Sequence, residues 1–436
     1  MTRLVESESN MSDSWKAPTG MDYLIFSAYT DLRPEVILDK VPEAKNENTW
    51  AMVRIIGIVP VKSKNLPTRC LYKFSSSFWT SNAKNSIILE SPAIAVDIVA
   101  DIENFGMSYS AAFILCKLIK SNDESLPTQV TFLMSDEELF EKSDPKINFV
   151  SIKYATRTSS SYQKRFMAVC VPSLHHNYDK YLNLIEFIEF YRMMGVNHFT
   201  FYNTSVTKEV SYVLAYYRDE GFITVLPWKI PSKYEFERDL RYNGIFAALN
   251  DCLYRSSMIE DYKYIANVDL DEFIVPRKYE NYQNMMRQLD PESDDQNAVF
   301  IFRNKFFYLM NKDNPVRITS QDYPKLLLET KILRWSRINE AYDRSKYITR
   351  GLDTIELGNH KVIKTRKTST ILSSEFKELI VEPEIAGLHH YRYCEVNELV
   401  CYLRGTELDK SALKHVLPLG KRVNAIYNKL FHQLKK

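Results

Sequence analysis

The chain has 436 residues, of which 45% are hydrophobic and 26% charged, as expected for an ordinary folded protein of two or three domains. Its formal net charge of +2 gives no reason to expect a nucleic-acid partner. Glycine is scarce, at 11 residues, and neither common glycine-rich phosphate loop is present, so a bound nucleotide would be held by other groups. The six cysteines include no Cys-x-x-Cys pair, which argues against zinc.

The first third of the chain is predicted to be rich in β-strands. Residues 1–20 are polar and are expected to be a disordered lead, with neither a signal peptide nor a membrane anchor. Residues 21–155 contain short apolar runs separated by turn-forming residues, which is typical of an antiparallel β-sandwich. We expect this domain to fold independently and to contain no catalytic group. Cys70 and Cys116 both fall in predicted strands. They could form a disulfide, or they could be two small buried apolar residues.

The pattern changes after a Ser/Thr-rich linker at residues 156–164. From residue 165 to the end at 436, we expect an α/β domain. Strands are predicted at 166–171, 198–202 and 222–226, and helices at 182–194, 210–218 and 245–254. This alternation predicts a mostly parallel sheet with helices on both faces. In such sheets, ligands bind beyond the carboxyl ends of the strands.

Three carboxylates interrupt an apolar run at residues 264–276. Asp269 and Asp271 lie two residues apart, so in an extended chain they point to the same side, and Glu272 follows directly. Acids between two apolar runs are costly unless a cation neutralises them. Carboxylate oxygens suit Mg²⁺ or Mn²⁺, which commonly bind substrate phosphates as well. The sequence thus predicts a metal–diphosphate site at a strand end, and the alternative is a solvent-exposed acidic turn.

Three histidines near predicted strands are further candidates: His360, His389 and His390. A single histidine is more often structural, but one that lies against a carboxylate site can be a metal ligand. The residues alone do not choose among these three histidines.

A series of short blocks carries a resemblance to a known family. The blocks lie at residues 170–172, 183–191, 195–199, 202–203, 213–217, 248–255, 269–273, 360–362 and 390–391. In this order and spacing, from about residue 165 to 401, they closely resemble glycosyltransferase family 92, a group much expanded in nematodes. Residues 26–33 resemble the start of that family's amino-terminal region.

The resemblance implies a GT-A type fold, a Rossmann-like mixed sheet with flanking helices. It implies an inverting, metal-dependent galactosyltransferase that moves a hexose from a UDP-sugar to a glycan acceptor. It further implies that Asp269 and Asp271 are the Asp-x-Asp pair that binds Mn²⁺ or Mg²⁺, and that His390 is a ligand candidate. If His390 is not a ligand, His360 is the second candidate. The donor contacts that it implies are Asp269, Asn243, Asn250, Asp251 and Arg255. Family members are type II membrane proteins of the Golgi, so we expect a location in the secretory pathway, with membrane attachment only through an anchor not visible in this chain.

Two parts of that expectation are less well defined by the sequence. An inverting transfer needs a base that deprotonates the acceptor hydroxyl, and the candidates are Asp322, Glu329 and Glu340. Ile245 stands where the family usually carries Gln, and the pairing of Cys394 and Cys401 is not assigned. The alternative function is therefore a catalytically idle member that binds glycans or nucleotide sugars. A hydrolase using Asp271 and Glu272 is disfavoured, because adjacent strand residues point to opposite faces.

Overall fold

The computed structural model describes residues 14–18, 23–42, 51–62, 66–75, 87–134, 147–155, 164–231, 234, 237–291, 296–368 and 374–431. It contains a β-barrel followed by an α/β unit. The predicted linker at 156–164 lies outside the described residues, apart from Lys164. In these described ranges, no helix combines the length and the apolar character needed to cross a membrane.

The amino-terminal unit is a closed barrel rather than the expected sandwich. Its strands are β1 (Leu24–Asp31), β2 (Met52–Pro60), β3 (Pro67–Lys73), β4 (Ile88–Ile98), β5 (Tyr109–Lys117), β6 (Gln129–Met134) and β7 (Val150–Lys153), with helix α1 (Pro34–Lys40) after β1. The strand order is β1-β2-β5-β4-β3-β6-β7, and β7 pairs with β1 in parallel. That last pairing removes both free sheet edges, which a sandwich would keep. A disulfide joins Cys70 on β3 to Cys116 on β5.

Part of the predicted disordered lead is ordered, so that expectation is wrong for residues 14–18. Trp15 packs its ring 5.2 Å from that of Phe26 on β1 and 4.7 Å from that of Trp228 in the following unit. The backbone of Lys16 pairs with that of Ile25. The prediction rested on the mostly polar composition of residues 1–20, which gave no weight to the single apolar contact residue Trp15.

The α/β unit has fourteen described strands. They are β8 (Arg165–Leu174), β9 (His198–Asn203), β10 (Ile223–Pro227), β11 (Tyr262–Asn267), β12 (Glu272–Pro276), β13 (Asn297–Phe302), β14 (Asn304–Tyr308), β15 (Leu333–Trp335), β16 (Lys346–Arg350), β17 (Thr354–Leu357), β18 (Val362–Thr365), β19 (Lys377–Val381), β20 (Ala386–Arg392) and β21 (Thr406–Leu408). The described helices are α2 (Tyr181–Met193), α3 (Lys208–Asp219), α4 (Ile245–Tyr254), α5 (Tyr282–Leu289), α6 (Leu327–Thr330), α7 (Glu398–Tyr402) and α8 (Leu413–Phe431).

The central sheet has the order β10-β9-β8-β11-β16-β13-β19. Strands β10, β9, β8 and β11 are parallel, whereas β16 runs antiparallel to both of its neighbours. This confirms the predicted strand–helix alternation and the mixed sheet. A second sheet has the order β12-β20-β14, and its strand β12 follows the carboxyl end of β11 after a short turn.

The barrel and the α/β unit share one hydrophobic core. Phe26 and Tyr29 of β1 belong to the same buried cluster as most of α4. The Tyr29 hydroxyl donates to Asp251 on α4 at 2.6 Å, and Arg33 donates to the Leu352 and Thr354 carbonyl oxygens at 3.0 and 2.7 Å. Residues 26–33 therefore lie in the interface between the barrel and the α/β unit. We expect the barrel to fold together with the α/β unit rather than independently.

Two further disulfides fix the α/β unit. Cys170 on β8 is joined to Cys252 on α4, and Cys394, just after β20, is joined to Cys401 on α7. The first pairing was not predicted, because 82 residues separate its partners in the sequence.

Candidate active site

The acidic residues form a tight turn between β11 and β12. The Asp269 backbone N–H donates to the Glu272 carboxylate at 2.8 Å, and the Glu272 N–H donates back to the Asp269 carbonyl oxygen at 3.0 Å. Glu272 is fully buried, while the side chains of Asp269 and Asp271 are 34% and 42% exposed. The turn therefore presents two carboxylates to solvent and keeps the third beneath them.

His390 reaches this turn because of strand register. It lies directly opposite Glu272 in the antiparallel β12–β20 pair, and Tyr391 N–H donates to the Asp271 carbonyl oxygen at 2.8 Å. His390 Nε2 is 3.5 Å from Asp271 Oδ2, and Nδ1 is 3.3 Å from Glu272 Oε1. His389 points to the other side of β20, where its ring stacks on Phe307 at 4.4 Å.

Lys346, the first residue of β16, also belongs to the site. Its side chain is fully buried, with Nζ 3.1 Å from Asp269 and 3.7 Å from Glu272. The same ammonium group donates to Asn359 Oδ1 at 2.7 Å. The ligand atoms of Asp269, Asp271 and His390 do not, among the described residues, all lie within 4.8 Å of one another. Asp269 is paired with Lys346.

The buried charges shift one another's pKa values. Burial raises the pKa of Glu272 to about 7, against the opposing effect of Lys346. Burial alone would raise the pKa of Asp271 and lower that of His390, but their mutual attraction outweighs it, so the Asp271 pKa is lowered and the His390 pKa is raised. Burial would also lower the pKa of Lys346, but Asp269 and Glu272 raise it.

The donor set fits a divalent cation with oxygen and nitrogen ligands. Two ligands about 2.1 Å from one ion can span the 3.5 Å between His390 and Asp271. Glu272 Oε1 and His390 Nδ1 are buried without a hydrogen-bond partner, and they face each other. A carboxylate behind the second ring nitrogen is the usual arrangement that orients a metal-binding histidine. Asp271 and His390 are therefore the residues best placed to hold a metal, with Asp269 able to join by turning away from Lys346.

His360, the second ligand candidate, lies close by but faces other partners. Its Nδ1 lies 3.4 Å from the Ser345 carbonyl oxygen, and Nε2 lies 3.1 Å from Asn359 Nδ2. Burial and the nearby Lys346 lower the pKa of His360 to about 3. The ring is therefore neutral, and it lines the cleft without contacting either aspartate.

These residues lie in a cleft with a volume of about 610 Å³. One wall comes from the end of β8 and from the segment that enters α4, including His175, Arg241 and Ile245. Residues of β20, and residues just after β14 and β20, also line the cleft. The barrel contributes Glu103 and Phe105 to the lining of the cleft. A cleft of this size accommodates a nucleotide sugar.

Comparison with known proteins gives a family match that begins where the α/β unit begins. The family model for glycosyltransferase family 92 matches residues 165–423, more than half of the chain. The chain belongs to glycosyltransferase family 92.

Two curated relatives of this family 92 chain come from Caenorhabditis elegans. It is 28% identical to beta-1,4-galactosyltransferase galt-1 over 176 residues, which are 40% of each protein. It is 24% identical to glycosyltransferase family 92 protein F13G3.3 over 224 residues, which are 49% of this chain and 40% of that protein. The chain thus spans well under two thirds of the length of either relative.

Likeness to solved structures is weak. The structure of S. aureus TarS 1-349 in complex with UDP-GlcNAc is 10% identical, with a TM-score of 0.28 over 54% of this chain and 61% of that one. The Mn/GDP form of core-mannan synthase A from Aspergillus fumigatus is 15% identical, with a TM-score of 0.19 over 35% of this chain and 45% of that one. Scores this low add nothing to the topology described above.

The three predicted catalytic bases all lie outside the cleft of this family 92 chain. Glu329 is buried and accepts hydrogen bonds from Ile318 and Thr319. Glu340 is 77% exposed and pairs with Arg303 at 3.5 Å, and Asp322 is exposed. None of the three lines the cleft, so the structure gives no support to any of them as the base.

Most of the predicted donor contacts also have structural roles. Asn250 bonds the carbonyl oxygens of Phe246 and Leu357 and accepts the Leu357 N–H, and Asp251 is buried beside Arg255 at 3.2 Å. The Asn243 side chain donates to Thr204 Oγ1 at 2.6 Å, which holds the loop before α4. None of these four residues lines the cleft. Within the predicted donor set, only Asp269 does.

Sequence reasoning missed Lys346 and the barrel residues. Lys346 could have been noticed because it begins a strand that is fully buried, and a buried charge needs a partner. Glu103 gave no signal in the sequence. Its carboxylate accepts the backbone N–H of Asn359 at 2.5 Å and that of His360 at 3.4 Å. It thereby fixes the loop that holds Lys346.

Proposed function

We propose that this chain is a metal-dependent, inverting glycosyltransferase that moves galactose from UDP-galactose to a glycan acceptor. Membership of family 92 and the name of the galactosyltransferase relative support the reaction class and the sugar. The observation that carries the proposal is structural: Asp271 and His390 meet at 3.5 Å beyond the carboxyl end of β11, inside the cleft. That edge of a parallel sheet is where nucleotides bind.

Within this site, each side chain has a definite task. Asp271 and His390 would hold Mn²⁺ or Mg²⁺, and Glu272 orients the His390 ring. A bound divalent cation stabilises the negative charge that develops on the β-phosphate as the sugar–phosphate bond breaks. Lys346 holds Asp269 and adds a fixed positive charge beneath the same phosphates.

We assign the general base to His175, because it lines the cleft and the three predicted carboxylates do not. His175 lines the cleft just after β8, and burial together with the adjacent His176 lowers its pKa, so the imidazole is neutral at pH 7. His360 also lines the cleft, but a pKa of about 3 makes it a poor proton acceptor at neutral pH. We expect His175→Ala to lower kcat while leaving the affinity for UDP nearly unchanged.

The decisive experiment measures transfer from UDP-galactose with and without Mn²⁺, for the wild type and Asp271→Asn. Loss of one key electrostatic contact typically costs about 10²–10³ in rate, while the thermal unfolding midpoint should hardly change. Asp219→Asn, on the exposed end of α3, is the matched control and should behave as the wild type. Turnover above about a tenth of wild type in Asp271→Asn contradicts the assignment. The anomeric configuration of the product, read by NMR, tests inversion.

A second candidate function is binding without transfer. It is favoured by Ile245, which is buried at the cleft wall where the family usually carries a polar Gln. Metal-dependent UDP binding without hydrolysis or transfer of any UDP-sugar would select this alternative. Absence of metal-dependent UDP binding would exclude both the transferase function and nucleotide-sugar binding at this site.

We further propose that the protein acts in the secretory pathway, in the Golgi lumen. All six cysteines form disulfides: Cys70–Cys116, Cys170–Cys252 and Cys394–Cys401. Disulfides persist in oxidising compartments and are rare in the cytosol. Fractionation of cells that express the full-length protein tests this location.

A further inference from the structure

Two aromatic rings enclose a guanidinium group at the mouth of the cleft. The Arg241 Cζ lies 4.7 Å from the centroid of the Phe105 ring and 4.2 Å from that of Tyr242. Phe105 comes from the barrel, whereas Arg241 and Tyr242 immediately precede α4, and all three line the cleft. The Phe105 side chain is 71% exposed, so packing within the protein does not explain its position.

The backbone at this stack adopts conformations that are unusual for its residues. Phe105 has φ of 52°, and Tyr242 and Asn243 have φ of 35° and 53°. Glu237 binds both the Arg241 guanidinium and the Tyr242 N–H, and Trp228 Nε1 donates to the Asn243 carbonyl oxygen at 2.8 Å. Such conformations cost energy and persist where the surroundings enforce them, commonly at ligand sites. The structure thus holds these two rings in place for contact with something in the cleft.

The position of the stack distinguishes the two substrates. It lies on the wall formed by the end of β8 and the start of α4, and β8 pairs with β9 on one side and β11 on the other. In open α/β sheets, nucleotides bind at the point where the strand order reverses in this way. This position favours the donor over the acceptor, and the planar group of the donor is its base.

We propose that Phe105, Arg241 and Tyr242 bind the uracil base of the donor, so that the barrel completes the nucleotide site. The inference rests on the proposed function and adds a base-recognition element to it. A pyrimidine ring can stack on either exposed aromatic face, and the Arg241 N–H groups can donate to a uracil carbonyl oxygen. The barrel would therefore contribute to donor affinity.

Isothermal titration of the full-length chain with UDP in the presence of Mn²⁺ tests this assignment. We expect Phe105→Ala to weaken UDP binding between about 5-fold and 100-fold, the range that loss of one base–aromatic stack produces. Phe105→Tyr should restore most of the affinity. Ile102→Ala is the matched control, since Ile102 lies in the same turn, is 74% exposed and does not line the cleft, and should leave UDP binding unchanged. Inorganic pyrophosphate, which has no base, should bind Phe105→Ala and wild type equally.

Each alternative outcome has a distinct meaning. Equal UDP affinity for Phe105→Ala and wild type overturns the inference and leaves the proposed function standing. So does a variant whose only defect is a raised KM for the acceptor, because the stack would then contact the acceptor. Equal weakening of UDP and pyrophosphate binding also overturns it, since the loss would not involve the base. Failure of the wild type to bind UDP overturns the proposed function itself.

Discussion

Replacing Lys346 with Met tests whether an internal cation balances the acidic site. Lys346 Nζ lies 3.1 Å from Asp269 and 3.7 Å from Glu272, and the whole side chain is buried. Methionine fills nearly the same volume without the charge. The substitution therefore leaves the packing almost unchanged and removes the positive charge from between two carboxylates.

The expected cost depends on pH, because Glu272 can escape ionisation. Removing one partner of a buried ion pair typically costs about 3–5 kcal/mol. In the wild type the pKa of Glu272 is about 7, raised from 4.5, so this carboxyl is mostly protonated at pH 5.5 and ionised at pH 8.5. Without Lys346 the Glu272 pKa rises further, and keeping the proton above pH 7 costs about 1.4 kcal/mol per pH unit. Over 1.5 units, the variant should lose about 2 kcal/mol more at pH 8.5 than at pH 5.5.

Urea unfolding of the wild type and Lys346→Met at both pH values measures this difference. Lys346→Met combined with Glu272→Gln should lose the pH-dependent part of the cost. Lys305→Met is a control at pH 5.5 for the loss of a buried lysine, because its partner Asp409 keeps Arg277 at 3.0 Å and Arg334 at 3.4 Å. It is not used at pH 8.5, because burial lowers the pKa of Lys305 to about 8. The reasoning is refuted if Lys346→Met costs the same at pH 5.5 and pH 8.5.

Three other predictions concern the two histidines and the interface. His390→Ala should weaken Mn²⁺ binding in the presence of UDP at least about 10-fold by titration, whereas His389→Gln, on the other face of β20, should not; equal effects would contradict the ligand role. Burial lowers the pKa of His389 from 6.5 to about 3, so as the pH falls the unfolded chain binds this proton before the folded protein does, and the folded protein loses stability. His389→Gln should therefore lose about 1 kcal/mol less stability than the wild type between pH 6.5 and 5.5, as measured by urea titration. Tyr29→Phe removes a donor to the buried Asp251 carboxylate and should cost about 1.5–3 kcal/mol in a single unfolding transition, whereas a separate barrel transition would argue against the shared core.

The sequence was informative where the pattern is local. The 2.0 and 3.6 periodicities located β8, β9, β10, α2, α3 and α4 to within a few residues, and the acidic turn followed from three carboxylates in an apolar run. Barrel closure could not be predicted in this way. It depends on β7 pairing with β1 more than a hundred residues earlier, and a short strand looks the same in a sandwich and in a barrel.

The candidate site shows the same limit. His390 was named because the family resemblance pointed to it, and strand register explains why it arrives opposite Glu272. The resemblance also pointed to Asn250, Asp251 and Arg255, but a shared motif does not say whether a polar group faces a ligand or the protein. Those three hold α4 against the barrel and against the 352–357 segment, so they shape the cleft from behind its wall.

The barrel is linked to the acidic turn through a continuous set of hydrogen bonds. Glu103 holds the backbone of Asn359 at 2.5 Å, the Asn359 side chain accepts from Lys346 at 2.7 Å, and Lys346 holds Asp269 at 3.1 Å. A Cβ atom at Gly358 would lie 2.5 Å from the Glu103 carboxylate, so a larger residue there would displace this carboxylate from its place against the loop. The family model begins at residue 165, after the barrel. The residues it matches therefore include Asp269 and Lys346 but not Glu103, whose carboxylate holds the backbone of the loop that accepts from Lys346.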